Sequence, residues 1–321
     1  MNSYIGKEVN LSHCKILVFS EKIASQGISN EIYSLINNVQ IRPSTNIIIS
    51  KCEAKIYIEN SKPSLENLLT KYYEIFPNSS LYTGYTSNST IGEFFNRMTC
   101  HTCEPNAILG GLIENADEQL YASSSNPQDS TLIKSNETSI SGKRGAENIG
   151  LAIFKEDTLV GELNAMETVC FSIVRNDING FLITVPDPEQ ENSYIDIYLY
   201  PNQSTSNTVK IINGTPYITV STKLKGRIYS MKRNSKYLDS AVLDRISAQV
   251  NHYLEASISA YLYRTAKELK SDVNGFGKKA LINFATTQEF ENYDWLSNYE
   301  NSFFNVQVDS NIQSGFLLTE T

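Results

Sequence analysis

No stretch of this 321-residue sequence approaches the roughly 18–20 consecutive apolar residues of a membrane-spanning helix. The opening residues, MNSYIGKEVNLSHC, hold no apolar core of the kind a secretory leader needs. Positive charge is scarce as well. There are 27 Lys and Arg against 35 Asp and Glu, for a net charge of −8. With no basic stripe, nucleic acid is not expected as a partner. The five cysteines, Cys14, Cys52, Cys100, Cys103 and Cys170, are odd in number and scattered, which does not make a disulfide framework. Tryptophan occurs once, at Trp295, and histidine three times. What is present is a globular composition, 40% apolar and 10% aromatic. A chain of this length can bury about three quarters of its unfolded surface and form two or three domains.

The first third alternates strand and helix. KILVFS (15–20) and TNIIIS (45–50) are continuously apolar runs. Between them, EKIASQGISNEIYSLINNV (21–39) has helical spacing at Ile32, Leu35, Ile36 and Val39, broken at Gly27. Two strands apolar throughout and joined by a helix predict a parallel pair covered on both faces. Helical patterns follow at 64–76, ahead of Pro77, and at 89–100. Residues 122–145 are almost wholly Ser, Asn, Thr, Asp, Lys and Gly and read as a polar linker. IGLAIFKEDTLVGEL (149–163) reads as two strands around a Lys-Glu-Asp turn, with ETVCFSIVRND and GFLITV (167–185) continuing the sheet up to Pro186 and Pro188.

In PYITVSTKLKGRIYS (216–230), Ile218, Val220, Thr222, Leu224 and Ile228 share one face, the pattern of a half-buried strand. Residues 238–270 hold no Gly or Pro and repeat apolar positions from Val242 to Leu262, which predicts one long helix. FFNVQVDSNI (303–312) again alternates. The expected fold class is mixed α+β, with mixed sheets packed against helices in three consecutive domains. These are an N-terminal mixed domain over 1–121, the linker 122–145, a small β-rich middle domain over 146–192, and a C-terminal α+β domain over 193–321.

Two short motifs raise the question of chemistry. KSDVNGFGKK (270–279) brings together an acid, Asn-Gly, Gly-x-Gly and a lysine pair. As a calcium loop it fails, because Gly275 falls at loop position four and Asn283 stands where a bidentate Glu is required. As a phosphate loop it fails because Lys279 follows Gly277-Lys278 and no glycine lies five residues earlier. Helix termination remains, with Asn274 and Gly275 tolerating the left-handed conformation and Lys267 and Lys270 suiting the helix's negative end. Cys100-His-Thr-Cys103 has redox or half-zinc spacing. It ends a helical pattern instead of opening one, and no second CxxC completes a zinc site. His252 reads as a surface residue of the long helix. No nucleophile with a paired base is evident.

The wider strings YLYRTAKELKSDVNGFGKKALINF and YDWLSNYENSFFNVQVDSNIQSGFL resemble the C-terminal domain of the Ger(x)C family, the C subunits of spore germinant receptors. GLAIFKEDTLVGEL with Glu167, and residues 13–55, resemble its upstream domains. The motif positions that carry the resemblance are Gly161, Glu167, Asp272, Gly275, Gly277, Trp295 and Gly315, which it implies to be structural. It implies no catalytic residue, no cofactor and no metal. It also implies partnership with A- and B-type membrane subunits and a place on the outer face of the inner spore membrane, held by a lipid anchor. Family members carry a signal peptide and lipobox cysteine that this sequence does not show, so either the true start lies upstream of Met1 or the chain is a truncated or split copy. The competing readings are a cytosolic thiol enzyme using Cys100 and Cys103, and an exported small-molecule-binding protein.

Overall fold

The computed structural model describes residues 10–62, 69–112, 135, 145–191, 193–230 and 239–313. The described residues form two mixed sheets. The first has five strands: β1 (Ile16–Ser20), β2 (Asn46–Ser50), β3 (Asn106–Leu112), β4 (Ala146–Lys155) and β5 (Thr158–Leu163), in that spatial order. β1, β2 and β3 are parallel, with Ile16 opposite Asn46 and Ile48 opposite Ile108. β4 and β5 add antiparallel strands at the far side.

Helices lie on both faces of this sheet, which is why β2 is apolar at consecutive positions. Ile47 and Ile49 face α1 (Glu21–Ala24) and α2 (Ser29–Ile36), which the left-handed Gly27 separates. Ile48 faces α3 (Ala54–Asn60) and α4 (Leu69–Ser80) on the other side, among Tyr57 and Tyr73. α5 (Ile91–Met98) joins the first face through Ile91 and Phe94. The expected helix ending before Pro77 instead runs on through it to Ser80. The strand–turn–strand reading of 149–163 corresponds to β4 and β5. Asp157 in their turn accepts a hydrogen bond from Ser29 N at the start of α2 (3.1 Å).

The second sheet orders β6 (Phe181–Pro186), β7 (Tyr194–Ile212), β8 (Thr215–Ser230) and β9 (Phe303–Gln313). β6 to β8 are antiparallel, and β9 returns parallel to β8 after the crossover through α7 (Ser240–Lys267). Ile218, Val220, Thr222, Leu224 and Ile228 of β8 are all buried. α7 also covers the outer edge of β9. The amides of Phe304, Val308, Ser310 and Ile312 donate to side chains of Tyr263, Glu255, Asn251 and Ser247. Four helical residues rise about 6 Å and two strand residues about 6.8 Å, so the two rows stay nearly in register. An edge that would otherwise template foreign strands is thereby closed.

Residues 146–192 differ from the expected separate domain. β4 and β5 complete the first sheet and β6 begins the second. ETVCFSIVRND (167–177), read as a strand, lies for the most part in a helix, α6 (Ala165–Arg175). Its start is a capping box. Glu167 N donates to Asn164 Oδ1 and Asn164 N donates to Glu167 Oε2, both at 2.9 Å, which satisfies two amides that the helix itself cannot. Every residue from Ala165 to Val174 except Glu167 is buried, because α6 lies inside one continuous core. That core runs from Leu151, Ile153 and Leu163 of the first sheet into Ile197, Leu199 and Val220 of the second.

Glu167 also receives Arg264 of α7, with Nη1 at 2.6 Å from Oε1 and 2.5 Å from Oε2. Glu167→Ala should therefore remove a cap and a charged tie at once. We expect a loss of about 2 kcal/mol, read as a lower urea midpoint at unchanged m. A loss under about 0.5 kcal/mol, the size typical of surface substitutions, would contradict this assignment. Of the expected linker 122–145, only Ser135 and Gly145 are among the described residues. Ser135 is fully buried and its Oγ donates to Leu109 O at 2.9 Å. The rest of that segment lies outside the described residues. Among the described residues, no helix is long and apolar enough to cross a membrane.

Candidate functional site

α7 ends at Lys267, with Glu268 as its C-cap. The left-handed residue that turns the chain is Lys270 (φ 51°), whose Nζ lies 2.8 Å from Glu300 Oε2. Asn274 and Gly275, expected to terminate the helix, belong to a separate turn built on Asp272. The Asp272 carboxylate accepts from the backbone amides of Gly275 (2.9 Å), Phe276 (3.0 Å) and Gly277 (2.9 Å) and from Trp295 Nε1 (2.8 Å). It is wholly buried. Burial pushes its pKa up, against the pull of these donors and of Arg97. The amides that would cradle a phosphate or frame a cation loop are thus already bonded to the loop's own acid.

Gly275 is required by its left-handed backbone and Gly277 by what lies on the turn. Gly275 has φ +76°, and a Cβ there would sit 3.4 Å from Cys103 Cβ. A Cβ on Gly277 would meet Thr102 O at 2.5 Å and the Trp295 ring at 2.6 Å. No side chain fits there without moving a backbone or the indole. Gly161 of β5 lies nearby, where a Cβ would meet only the Cδ2 end of the Leu269 side chain, at 2.5 Å. Trp295 opens α10 (Trp295–Asn298), following α8 (Gly277–Ala280) and α9 (Thr287–Tyr293). Its ring centroid lies 6.1 Å from that of Tyr299, whose hydroxyl is 3.0 Å from Thr265 Oγ1.

The loop resting on this turn is Cys100-His-Thr-Cys103, so the two motifs of the sequence meet. Thr90 caps α5 by accepting from Glu93 N (3.3 Å), and the helix ends at Met98, with Thr99 as its C-cap before Cys100. Arg97 turns inward. Its Nε donates to Glu104 O (2.8 Å) and its Nη2 donates to Val273 O. Glu104 N donates to Asp272 O (3.0 Å). Glu104 Oε2 accepts from Glu156 N in the β4–β5 turn (2.6 Å), and Ser271 Oγ donates to Phe154 O (2.6 Å). This junction ties residues 97–104, the β4–β5 hairpin and residues 269–277 into one block.

Burial raises Glu104 to about 7, with Glu156 and Asp272 adding to the shift. Glu104 Oε1 is buried with no hydrogen-bond partner among the described residues. Sequence reading missed Arg97, Glu104 and Ser271. Their roles depend on contacts across as many as 176 positions, for which no local pattern exists.

Both cysteines are free thiols. Burial lifts Cys103 to about 12. Burial also acts to raise Cys100, but hydrogen bonds with Thr102 and Cys103 and the Arg97 charge outweigh it and hold the thiol below its ordinary value. At pH 8 iodoacetamide should therefore label Cys100 well before Cys103, as read by peptide mass spectrometry, because the thiolate is the reacting form. The reverse order would contradict the placement of the two thiols. Among the described residues, no group of three or more His, Cys, Asp or Glu is placed to hold a metal ion. Of the sequence-predicted positions, Asp272, Gly275, Gly277 and Trp295 come together here, with Gly161 beside them. Glu167 acts at α6, and Gly315 lies outside the described residues.

Comparison with known proteins agrees with this architecture. Residues 149–315 match the family model described as spore germination B3/GerAC-like, C-terminal, and residues 1–109 match the spore germination protein N-terminal domain. The boundary at 149 falls inside β4. YfkR of Bacillus subtilis (strain 168), assigned to spore germination by its name, is 22% identical over 332 aligned positions, covering 100% of this chain and 76% of that protein. The crystal structure of the GerBC protein superposes with a TM-score of 0.66 at 16% identity, over 94% of this chain and 79% of that one. The chain belongs to the Ger(x)C family of GerAC-like spore germination proteins.

Proposed function

We propose that the chain is a non-enzymatic subunit of a spore germinant receptor. In this reading it supports nutrient-triggered germination by assembling with A- and B-type membrane subunits at the outer face of the inner spore membrane. A lipid anchor is part of the reading and is carried over from the family alone. The observation that carries the non-enzymatic part is how the junction uses its buried acids. Asp272 accepts four hydrogen bonds from its own turn and from Trp295, and Glu104 accepts from a backbone amide. These are positioning bonds of a rigid two-sheet scaffold, not a nucleophile with its base.

The test is a deletion in the parent organism's spores, complemented by the full gene. Loss of the optical-density drop that follows nutrient addition, and co-purification of the tagged chain with membrane subunits, are expected. Normal germination with no membrane subunit recovered would overturn the proposal. Cys100→Ser with Cys103→Ser should complement as well as wild type. A folded double variant that fails to complement would favour the thiol-enzyme reading instead.

A further inference from the structure

A cavity of about 530 Å³ opens beside the junction. Its walls come from the end of α5, the C-terminus of α6, the irregular stretch of β7 where its register with β8 shifts between Pro201 and Ser206, and the start of α8. Four cations line it, Arg97, Arg175, Lys278 and Lys279, and no carboxylate does among the described residues. That is unexpected in a chain of net charge −8. Glu93, which does not line the cavity, pairs with Arg175, with Oε1 2.6 Å from Nη2. Arg97, Lys278 and Lys279 have no ion pair among the described residues.

Arg97 is half-buried and spends Nε and Nη2 on backbone carbonyls. Burial and then the neighbouring Arg175 charge work against its protonated form, while Cys103, Glu93 and Asp272 favour it. Four cations gathered on one cavity raise the positive potential inside it and favour an anion there. The wall is also fixed in shape. Asn176, left-handed at the end of α6, accepts from Thr205 N and donates to Thr205 O through the same amide. This pins the β7 irregularity in place, with Ser204 and Ser206 at the rim.

The geometry points to a binding site for a small oxyanion, a phosphate or carboxylate group, held by Arg97, Lys278 and Lys279 with hydroxyl donors from Ser204 and Ser206. The volume suits a small molecule and not a polymer. Binding there would bridge residues of the first sheet's α5 and the turn that opens α8, so occupancy would stiffen the connection between the two halves. The site stands independently of the receptor assignment.

The experiment titrates the full chain with inorganic phosphate, and separately with malonate, against sodium chloride at matched ionic strength. Calorimetry and thermal unfolding provide the readouts. A saturable heat and a rising Tm with either oxyanion, absent with chloride, are expected. Lys278→Glu with Lys279→Glu changes exposed residues outside the junction's hydrogen bonds and should weaken binding about tenfold or more. An equal charge change on the far face of the first sheet, Lys55→Glu with Lys71→Glu, should leave it unaltered. Saturation with phosphate alone or malonate alone would define which oxyanion is taken and support the site. No saturation with either, or equal weakening by both double variants, would overturn it, the latter because it would show only a general dependence on net charge.

Discussion

Asp272→Ala is expected to destabilise the protein by about 4 kcal/mol or more, a large part of the 5–15 kcal/mol that holds a typical domain folded. The reason is the number of donors left behind. The amides of Gly275, Phe276 and Gly277 and the indole N–H of Trp295 all end on this one carboxylate. Each buried donor left unpaired costs about 1–3 kcal/mol. The raised pKa of Asp272 works the other way, because removing a buried charge recovers some desolvation. Four orphaned donors outweigh that recovery. Asp272→Asn keeps one acceptor oxygen and should cost less, since only the oxygen facing Gly277 and Trp295, or the one facing Gly275 and Phe276, is replaced by a donor. Urea unfolding of the three proteins should give midpoints in the order wild type, Asn, Ala. An alanine variant within about 1 kcal/mol of wild type would mean that the turn holds without its acid, and the junction would lose its organising group.

Stability should also fall as pH rises from about 4.5 to about 7, and Glu104 should be the main cause. Its pKa moves from an ordinary 4.5 to about 7 on folding. Between those values the folded chain keeps a proton that the unfolded chain has released. The folded state is therefore favoured at the acid end, loses that advantage through the window, and changes no further above pH 7. A shift of this size corresponds to about 3 kcal/mol. Glu104→Gln keeps an oxygen to accept from Glu156 N and cannot ionise. It should flatten most of the slope and be more stable than wild type at pH 8. Burial raises Asp272 as well, so a slope of the same sign should persist in the variant. Asp157 acts oppositely, at lower pH, because the hydrogen bonds from Ser29 hold it below its ordinary value. The comparison rests on unfolding free energies of the two proteins at pH 5 and pH 8. Equal differences in both would remove Glu104 from the account.

Much of the fold can be read from residue patterns. The continuous apolar runs at 15–20 and 45–50 are parallel strands because helices cover both faces. The uninterrupted period from Val242 to Leu262 is α7. The sequence of α6 resembles a strand because Val169, Ile173 and Val174 are β-branched and the helix is buried nearly all round, so no helical period shows. The distinguishing signal was Asn164 followed three residues later by Glu167, the capping-box spacing. The division of 146–192 between two sheets was not legible, because hydrophobic period identifies a strand without naming its neighbour. The junction was half visible. Asp272, Gly275, Gly277 and Trp295 carried the family resemblance, yet their contact with Arg97 and the Cys100–Cys103 loop is made only by the folded chain.

The junction should make the two sheets one cooperative scaffold. The sole tryptophan, Trp295, is buried in the junction and reports its integrity by fluorescence, while the amides of Ile47, Ile48 and Ile49 in β2 report the first sheet by hydrogen exchange. Followed together through a urea titration, the two signals should share one midpoint. Exchange of the β2 amides at urea concentrations where Trp295 is still buried would show two independent units and contradict the account.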